Sequence, residues 1–149
     1  MANRRLQKLR QLSTAERRLL VQAILLLPLM GLALRVLGFR RCCSIVARLS
    51  AVGESETGAT AISEAKAAAR VVKIAARHGL YRAKCLQESL TLWCLLIRRG
   101  LRVELRIGTR NHEDQFEAHA WVEVDGIVLN DTDDVNRRFA AFERAIFPA

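Results

Sequence analysis

The sequence predicts an α+β fold in which N-terminal helices precede a small antiparallel sheet. Apolar residues recur at helical spacing through the first hundred residues. From Leu101 to Gly108 they alternate strictly with Arg102, Glu104 and Arg106, which is typical of a strand with one buried face. Of the 149 residues, 51% are hydrophobic and 26% charged, so the chain can bury one modest core.

The first helical region begins at a capping signal. Ser13 and Glu16 have capping-box spacing, and a nearly unbroken apolar run from Leu19 to Leu34 follows. As a helix this run would span about 24 Å, short of the ~30 Å core of a bilayer. Pro28 is expected to kink or divide it. We therefore predict two buried or partner-facing helices, with a helix lying on a membrane surface as the less favoured alternative.

Charge divides the chain into two parts. Residues 1–50 hold ten Lys and Arg against one acid, a net of +9, and the other 99 residues hold 14 of each sign. Residues 51–61 are small, with two glycines, and predict a linker. The sequence thus predicts a basic, Leu-rich helical region (1–50), a linker (51–61) and a second domain (62–149). The basic region points to an acidic partner or an anionic surface, or is simply a solvated helical face.

The second domain is predicted to contain helices followed by a sheet. Its predicted elements are helices 63–78 and 85–99, strands 101–108, 116–124 and 127–130, and a closing helix over 135–147 with Phe139, Phe142 and Phe147 turned inward. Helix 85–99 is apolar over most of its circumference, which places it in the core. Asp125-Gly126 is a hairpin signal between the last two strands.

Three residues of this domain form a candidate catalytic set. Cys85 lies at the predicted start of the buried helix, where the helix dipole and unpaired N–H groups favour a thiolate. His119 lies on the second strand between two alanines, which leave room around the imidazole. Asp131 follows twelve residues later. A thiolate, a base and an orienting carboxylate together are the groups of nucleophilic catalysis, although each alone is more often structural.

The hairpin register decides whether Asp131 can reach His119. A three-residue loop, 124–126, would place Asp131 opposite His119. A two-residue loop with regular pairing would place Thr132 opposite His119 and turn Asp131 to the other face, so that another group would orient the histidine. We predict the three-residue loop.

The cysteines and histidines exclude several other classes. Cys42 and Cys43 are adjacent, Cys85 and Cys94 are nine residues apart, and no CxxC or secretory signal occurs, so we expect a reducing, cytoplasmic setting. No metal or cofactor is expected, since no His or Cys pair has metal-ligand spacing. Phe39 is the only aromatic residue in the first fifty, which argues against a nucleic-acid partner.

The stretches around Cys85, His119 and Asp131 resemble, in order and spacing, the transglutaminase-like leader peptidase of lasso peptide biosynthesis. The resemblance covers roughly residues 62–142. The matching stretches are 85–93, 105–108, 116–123, Gly126 and 129–131. The His-Ala-Trp-Val-Glu run at 119–123 occurs widely in transglutaminase-like proteins and marks only the superfamily.

The resemblance implies a papain/transglutaminase-like core and a cysteine peptidase that removes the leader from a ribosomally made precursor peptide. It implies that Cys85 is the nucleophile, His119 the base and then the acid, and Asp131 the orienting carboxylate. The expected partners are the precursor, a leader-recognition protein and a macrolactam synthetase that acts on the released core peptide. We expect the leader-recognition protein to be separate, because this chain is too short to include that module. The alternatives are a transglutaminase-like acyltransferase and a non-catalytic peptide-binding scaffold.

One departure concerns the oxyanion. Papain-like enzymes often place a Gln several residues before the nucleophile as a second donor, and residues 77–84 contain none. The second donor is therefore unassigned from the sequence, with the Cys85 N–H as the first.

Overall fold

The computed structural model describes residues 13–49, 58–79, 81–112 and 115–142. The helices are α1 (Thr14–Leu37), α2 (Phe39–Arg48), α3 (Ala59–His78), α4 (Cys85–Ile97) and α5 (Val135–Arg138). The strands are β1 (Glu104–His112), β2 (Gln115–Val124), β3 (Ile127–Val128) and β4 (Ala140–Ala141). They form one antiparallel sheet in the order β3-β2-β1-β4. The predicted α+β fold is confirmed.

Helix α1 begins with the predicted capping box. The Glu16 N–H donates to Ser13 Oγ at 3.2 Å, and the Ser13 N–H donates to Glu16 Oε2 at 2.9 Å. The helix then continues through Pro28 without interruption, so the prediction of two helices divided there is wrong. Pro28 lies on the exposed side, where water can solvate the carbonyl that its missing N–H leaves unpaired. Packing of the inner face against the core supports the helix on both sides of Pro28.

The inner face of α1 belongs to the main core. Leu19, Ala23, Leu27 and Met30 are buried there, in one cluster with buried residues of α2, α3 and α4. By length and composition α1 is apolar enough to cross a membrane, and within the described ranges it is the one such helix. Its outer side, by contrast, is largely exposed.

Helices α3 and α4 form the centre of this core. The buried face of α3 consists mostly of alanine, which allows close approach of its neighbours. Helix α4 is buried from Ser89 to Ile97, as its apolar circumference predicts. Helix α3 begins at Ala59, so the last residues of the predicted linker are helical, and residues 51–57 lie outside the described ranges. The division into two domains stays a prediction.

The β2–β3 hairpin has a two-residue loop. Val124 pairs with Ile127 and Glu123 with Val128, so the predicted three-residue loop is wrong. Asp125 and Gly126 both have positive φ, 49° and 77°. This matches a type I′ turn, for which Asp-Gly is a preferred sequence and whose twist fits the strands.

The predicted closing helix over 135–147 is also wrong. Helix α5 ends at Arg138, Phe139 is extended, and Ala140 and Ala141 pair with Thr109 and Gly108 of β1. The reason lies in burial. An extended Phe139 packs on Trp121 in a second cluster that covers the sheet face opposite α4. Phe142 is exposed, not inward, and Phe147 lies outside the described residues.

Candidate active site

Cys85 is the first residue of α4, as predicted. The Gln87 side chain caps the start of the helix, because its Oε1 accepts from the Lys84 N–H at 2.8 Å. The side chain of Cys85 is half-buried. The N–H groups of the first helical turn have no partner within the helix. The thiol therefore lies in the positive electrostatic field at the N-terminal end of α4.

The edge of β2 explains why α4 begins beside His119. Strand β3 stops at Val128, so within the described part of the chain the Ala120 backbone groups on this edge have no strand partner. Ser89 Oγ donates to the Ala120 carbonyl at 2.8 Å, and the Ala120 backbone is one of the groups that lower the pKa of Cys85. The start of α4 therefore takes the place that the missing strand would occupy, next to His119.

Asn130 ends the β2–β3 ladder. The Leu129 N–H still donates to the Val122 carbonyl at 2.9 Å. The Val122 N–H donates at 2.8 Å to the Asn130 side-chain oxygen, not to a backbone carbonyl, and Asn130 Nδ2 donates to Ser89 Oγ at 2.9 Å. This side chain thus links β2 to α4 and turns the chain out of the strand.

That departure from the strand brings Asp131 to His119 despite the two-residue loop. Asp131 Oδ2 contacts His119 Nε2. The expectation that a two-residue loop with regular pairing would transfer the orienting contact to another group therefore does not apply, because the pairing is not regular beyond Val128. Its premise was regular alternation through residue 131, and alternation no longer applies once Asn130 has replaced the backbone acceptor.

Asp131 is held on its other oxygen as well. Oδ1 accepts from the Thr132 N–H at 2.7 Å and from Arg138 Nη2 at 2.7 Å. Arg138 also donates to Thr132 Oγ1 at 3.0 Å. The turn after Asn130 and helix α5 together fix the orientation of the carboxylate.

The imidazole ring is held by aromatic packing. His119 stacks on Phe139 with ring centroids 5.0 Å apart, and its centroid lies 6.2 Å from that of Trp121. Gly108 is the β1 partner of His119. A Cβ at Gly108 would lie 2.9 Å from Trp121 Cη2 and 3.0 Å from Phe139 Cβ. The glycine leaves the space that these two rings fill beside the histidine.

The three groups shift one another's proton affinities. A hydrogen bond with His119 lowers the pKa of Cys85 below 9.0, aided by the N–H groups of Ala120 and Leu86 and opposed by burial. The same hydrogen bond raises the pKa of His119 above 6.5, and Asp131 adds to the increase. Burial opposes ionisation of Asp131, but Thr132, His119 and Arg138 together lower its pKa. The arrangement favours a thiolate–imidazolium pair.

The other cysteines behave in the opposite way. Cys42, Cys43 and Cys94 are buried in the core. Burial raises the pKa of Cys42 and Cys94, and raises that of Cys43 to about 12. Cys85 is the one cysteine of the four whose environment favours the thiolate. Among the described residues, no group of three or more His, Cys, Asp or Glu could hold a metal ion.

The structure thus brings Cys85, His119 and Asp131 together, and their catalytic roles stay a prediction. Sequence reasoning did not assign roles to Ser89, Asn130, Gly108, Arg138 and Phe139, which position them. Ser89 had a usable signal. It lies four residues after Cys85, so both side chains lie on one face of the helix. It is also one of the few hydroxyl side chains in an otherwise apolar helix.

A cysteine at the start of a buried helix that packs on an antiparallel sheet carrying a histidine defines the papain-like and transglutaminase-like class of fold. Comparison with protein families agrees with this geometry. A model described as Transglutaminase-like superfamily matches residues 26–144, and the chain belongs to that superfamily. No curated protein and no solved structure matches the chain.

Proposed function

We propose that this protein is a cysteine peptidase that removes the leader from a ribosomally made lasso precursor peptide. One observation carries the catalytic part of the proposal. Of four cysteines, Cys85 alone has a lowered pKa, and its partner His119 is in contact with Asp131. The substrate class rests on the resemblance of roughly residues 62–142 to the lasso leader peptidases, within a superfamily to which the chain belongs.

The proposed reaction is acyl transfer to water. The Cys85 thiolate attacks the carbonyl carbon of the leader–core amide. His119 gives its proton to the leaving nitrogen as the C–N bond breaks, which leaves a thioester on Cys85. His119 then takes a proton from water as the water attacks, and the C–S bond breaks to release the acid. Asp131 holds the ring through Nε2, so Nδ1 is the ring nitrogen that remains for the thiol.

The oxyanion of each tetrahedral intermediate would form beside the first turn of α4. The Cys85 N–H is the proposed donor to this oxygen. Gln87 is engaged with Lys84 and closes the helix start. The end field of α4 adds to the stabilisation of the negative oxygen.

The proposed partners follow from the same resemblance. The precursor is delivered by a separate leader-recognition protein in the cytoplasm, and a macrolactam synthetase consumes the released core peptide. The residues after 50 carry no net charge, which supports a recruiting role for the basic region, separate from the cleavage.

The test is cleavage of a precursor peptide supplied with its recognition protein. Cys85→Ala should fold and lose cleavage completely. Cys94→Ala is the matched control, since it removes a thiol from the same helix and should retain cleavage. Unchanged cleavage by Cys85→Ala would refute the proposal. The product mass separates hydrolysis from transfer to an amine, and absence of any product from the unsubstituted protein would favour a scaffold.

A second test needs no substrate. Iodoacetamide should alkylate Cys85 in the folded protein well before Cys42, Cys43 and Cys94, because the thiolate is the reactive form. Peptide mapping by mass spectrometry identifies the order. Equal rates at all four cysteines would contradict a selectively activated thiol.

A further inference from the structure

The outer side of α1 carries a row of exposed aliphatic side chains. This apolar stripe consists of Val21, Leu25, Leu29, Leu32 and Val36, which are between 57% and 71% exposed. Their spacing of three and four residues places them on one helical face. Single exposed aliphatic residues are ordinary, whereas a continuous row of this kind marks a surface that contacts something apolar.

Positive charge flanks the apolar stripe. Arg18 and Arg35 are exposed near its two ends, and Arg40 and Arg41 are exposed at the start of α2. The only acid in residues 1–50 is Glu16, and it pairs with Arg70 of α3. The surface around the stripe is therefore strongly cationic, with its one carboxylate already neutralised.

The opposite side of the same helix limits how α1 can contact a bilayer. Leu19, Ala23, Leu27 and Met30 are buried against the rest of the fold. A membrane-spanning orientation would withdraw these four side chains from the core. The helix can instead lie in the plane of the interface with its outer face down, and arginine stems can extend to the headgroups.

We propose that α1 docks on the surface of an anionic phospholipid bilayer, with the apolar stripe at the acyl boundary and the flanking arginines at lipid phosphates. The composition of the stripe favours lipid over a protein partner. It is wholly aliphatic, whereas protein interfaces concentrate their binding energy in Trp, Tyr and Arg anchors seated in pockets. Arg4, Arg5, Lys8 and Arg10 add charge of the same sign in the sequence before α1.

The test is flotation of the full chain with unilamellar vesicles of phosphatidylcholine, with and without phosphatidylglycerol. The protein should float with the anionic vesicles and more weakly with the neutral ones. Leu25→Gln/Leu29→Gln should reduce partitioning into both by about tenfold or more. Phe116→Gln is the matched control, because Phe116 is an equally exposed apolar residue on β2 and its loss should change nothing.

A charge variant separates the electrostatic contribution to vesicle binding from the contribution of the apolar stripe. Arg18→Gln/Arg35→Gln should reduce partitioning into anionic vesicles by about tenfold or more and leave neutral vesicles unaffected. Arg102→Gln, an exposed arginine outside the first fifty residues, should have no effect. Circular dichroism establishes that each variant is folded.

Three outcomes would overturn the proposal. The first is failure of the unsubstituted chain to float with anionic vesicles. The second is an equal loss in the Phe116 and Leu25/Leu29 variants. The third is binding to soluble poly-L-glutamate as tight as to vesicles and unaffected by loss of Leu25 and Leu29, which would assign the arginines to an acidic protein partner.

Discussion

Two buried hydroxyls on helix α4 allow a sharp test of what holds the site together. Ser89 and Thr91 are both 0% exposed and lie two residues apart. Ser89 Oγ donates to the Ala120 carbonyl and accepts from Asn130 Nδ2. Thr91 Oγ1 has no hydrogen-bond partner among the described residues. The two side chains share helix and burial, and differ in hydrogen bonding.

Their removal should have opposite consequences for stability. A typical buried hydrogen bond contributes about 1 kcal/mol net, and a carbonyl left unsatisfied costs more. Ser89→Ala loses two bonds and leaves the Ala120 carbonyl without a donor, so the free energy of unfolding should fall by about 2–3 kcal/mol. Thr91→Val replaces an unpaired hydroxyl with a methyl of similar size, so the result should lie between no change and a gain of about 1 kcal/mol.

Equilibrium unfolding in urea, followed by circular dichroism, measures both variants. The slope of the free energy against urea concentration should be unchanged, so the midpoints report stability directly. Ser89→Ala should also slow alkylation of Cys85, because the start of α4 is less firmly held against β2. Equal destabilisation by the two substitutions would show that the Ser89 hydrogen bonds contribute nothing beyond side-chain volume, and would refute the proposed junction.

Further predictions concern the charges and packing around the histidine. Activity should depend on pH in a bell-shaped curve, with an acid limb below the ordinary thiol pKa of 9.0 and an alkaline limb above the ordinary imidazole pKa of 6.5. In Cys85→Ala the pKa of His119, measured by NMR titration, should fall, because the thiol that raises it has been removed. Arg138→Gln should raise the pKa of Asp131, so that the acid unfolding midpoint moves to higher pH, while stability at neutral pH changes by less than about 1 kcal/mol. Gly108→Ala should destabilise the protein by about 1–3 kcal/mol in urea unfolding, because the added Cβ meets Trp121 and Phe139.

The sign of the Arg138 prediction follows from linkage. The lowered pKa of Asp131 stabilises the folded state at pH values above its unfolded pKa, near 3.8. That stability is lost as the pH falls through the folded pKa. Removing the guanidinium raises the folded pKa, so the loss begins sooner on acidification. Arg137→Gln, on the exposed neighbouring position, is the control and should leave the midpoint in place. A midpoint that moves downward in Arg138→Gln would contradict the assigned contact.

Periodicity was sufficient for the elements that depend on burial. The start of α4 at Cys85, its burial and the change to alternation in β1 were all readable, because each follows from which residues need to avoid water. The continuity of α1 through Pro28 was not readable, since it depends on packing of the inner face against α3 and α4. The Asp125-Gly126 pair by itself predicts the two-residue loop that the structure shows, whereas the three-residue loop depends on regular pairing through residue 131.

The contact between His119 and Asp131 was predicted through the wrong register. The missing element was Asn130, whose side-chain oxygen replaces a backbone acceptor and ends the alternation. The alternation of apolar and polar residues does not show where a side-chain oxygen takes the place of a backbone acceptor. The extended conformation of Phe139 was hidden for a similar reason, because its burial against Trp121 outweighs the helical pattern around it.

The order in which the chain supplies its groups has a consequence during synthesis. Cys85 and His119 leave the ribosome first, whereas Asp131, Arg138 and Phe139 follow. A nascent chain that ends before residue 131 carries the cysteine without the carboxylate, the guanidinium or the ring that holds His119. Under the proposed function, a newly made chain becomes competent for cleavage only after this last segment has emerged and folded onto β1 and β2.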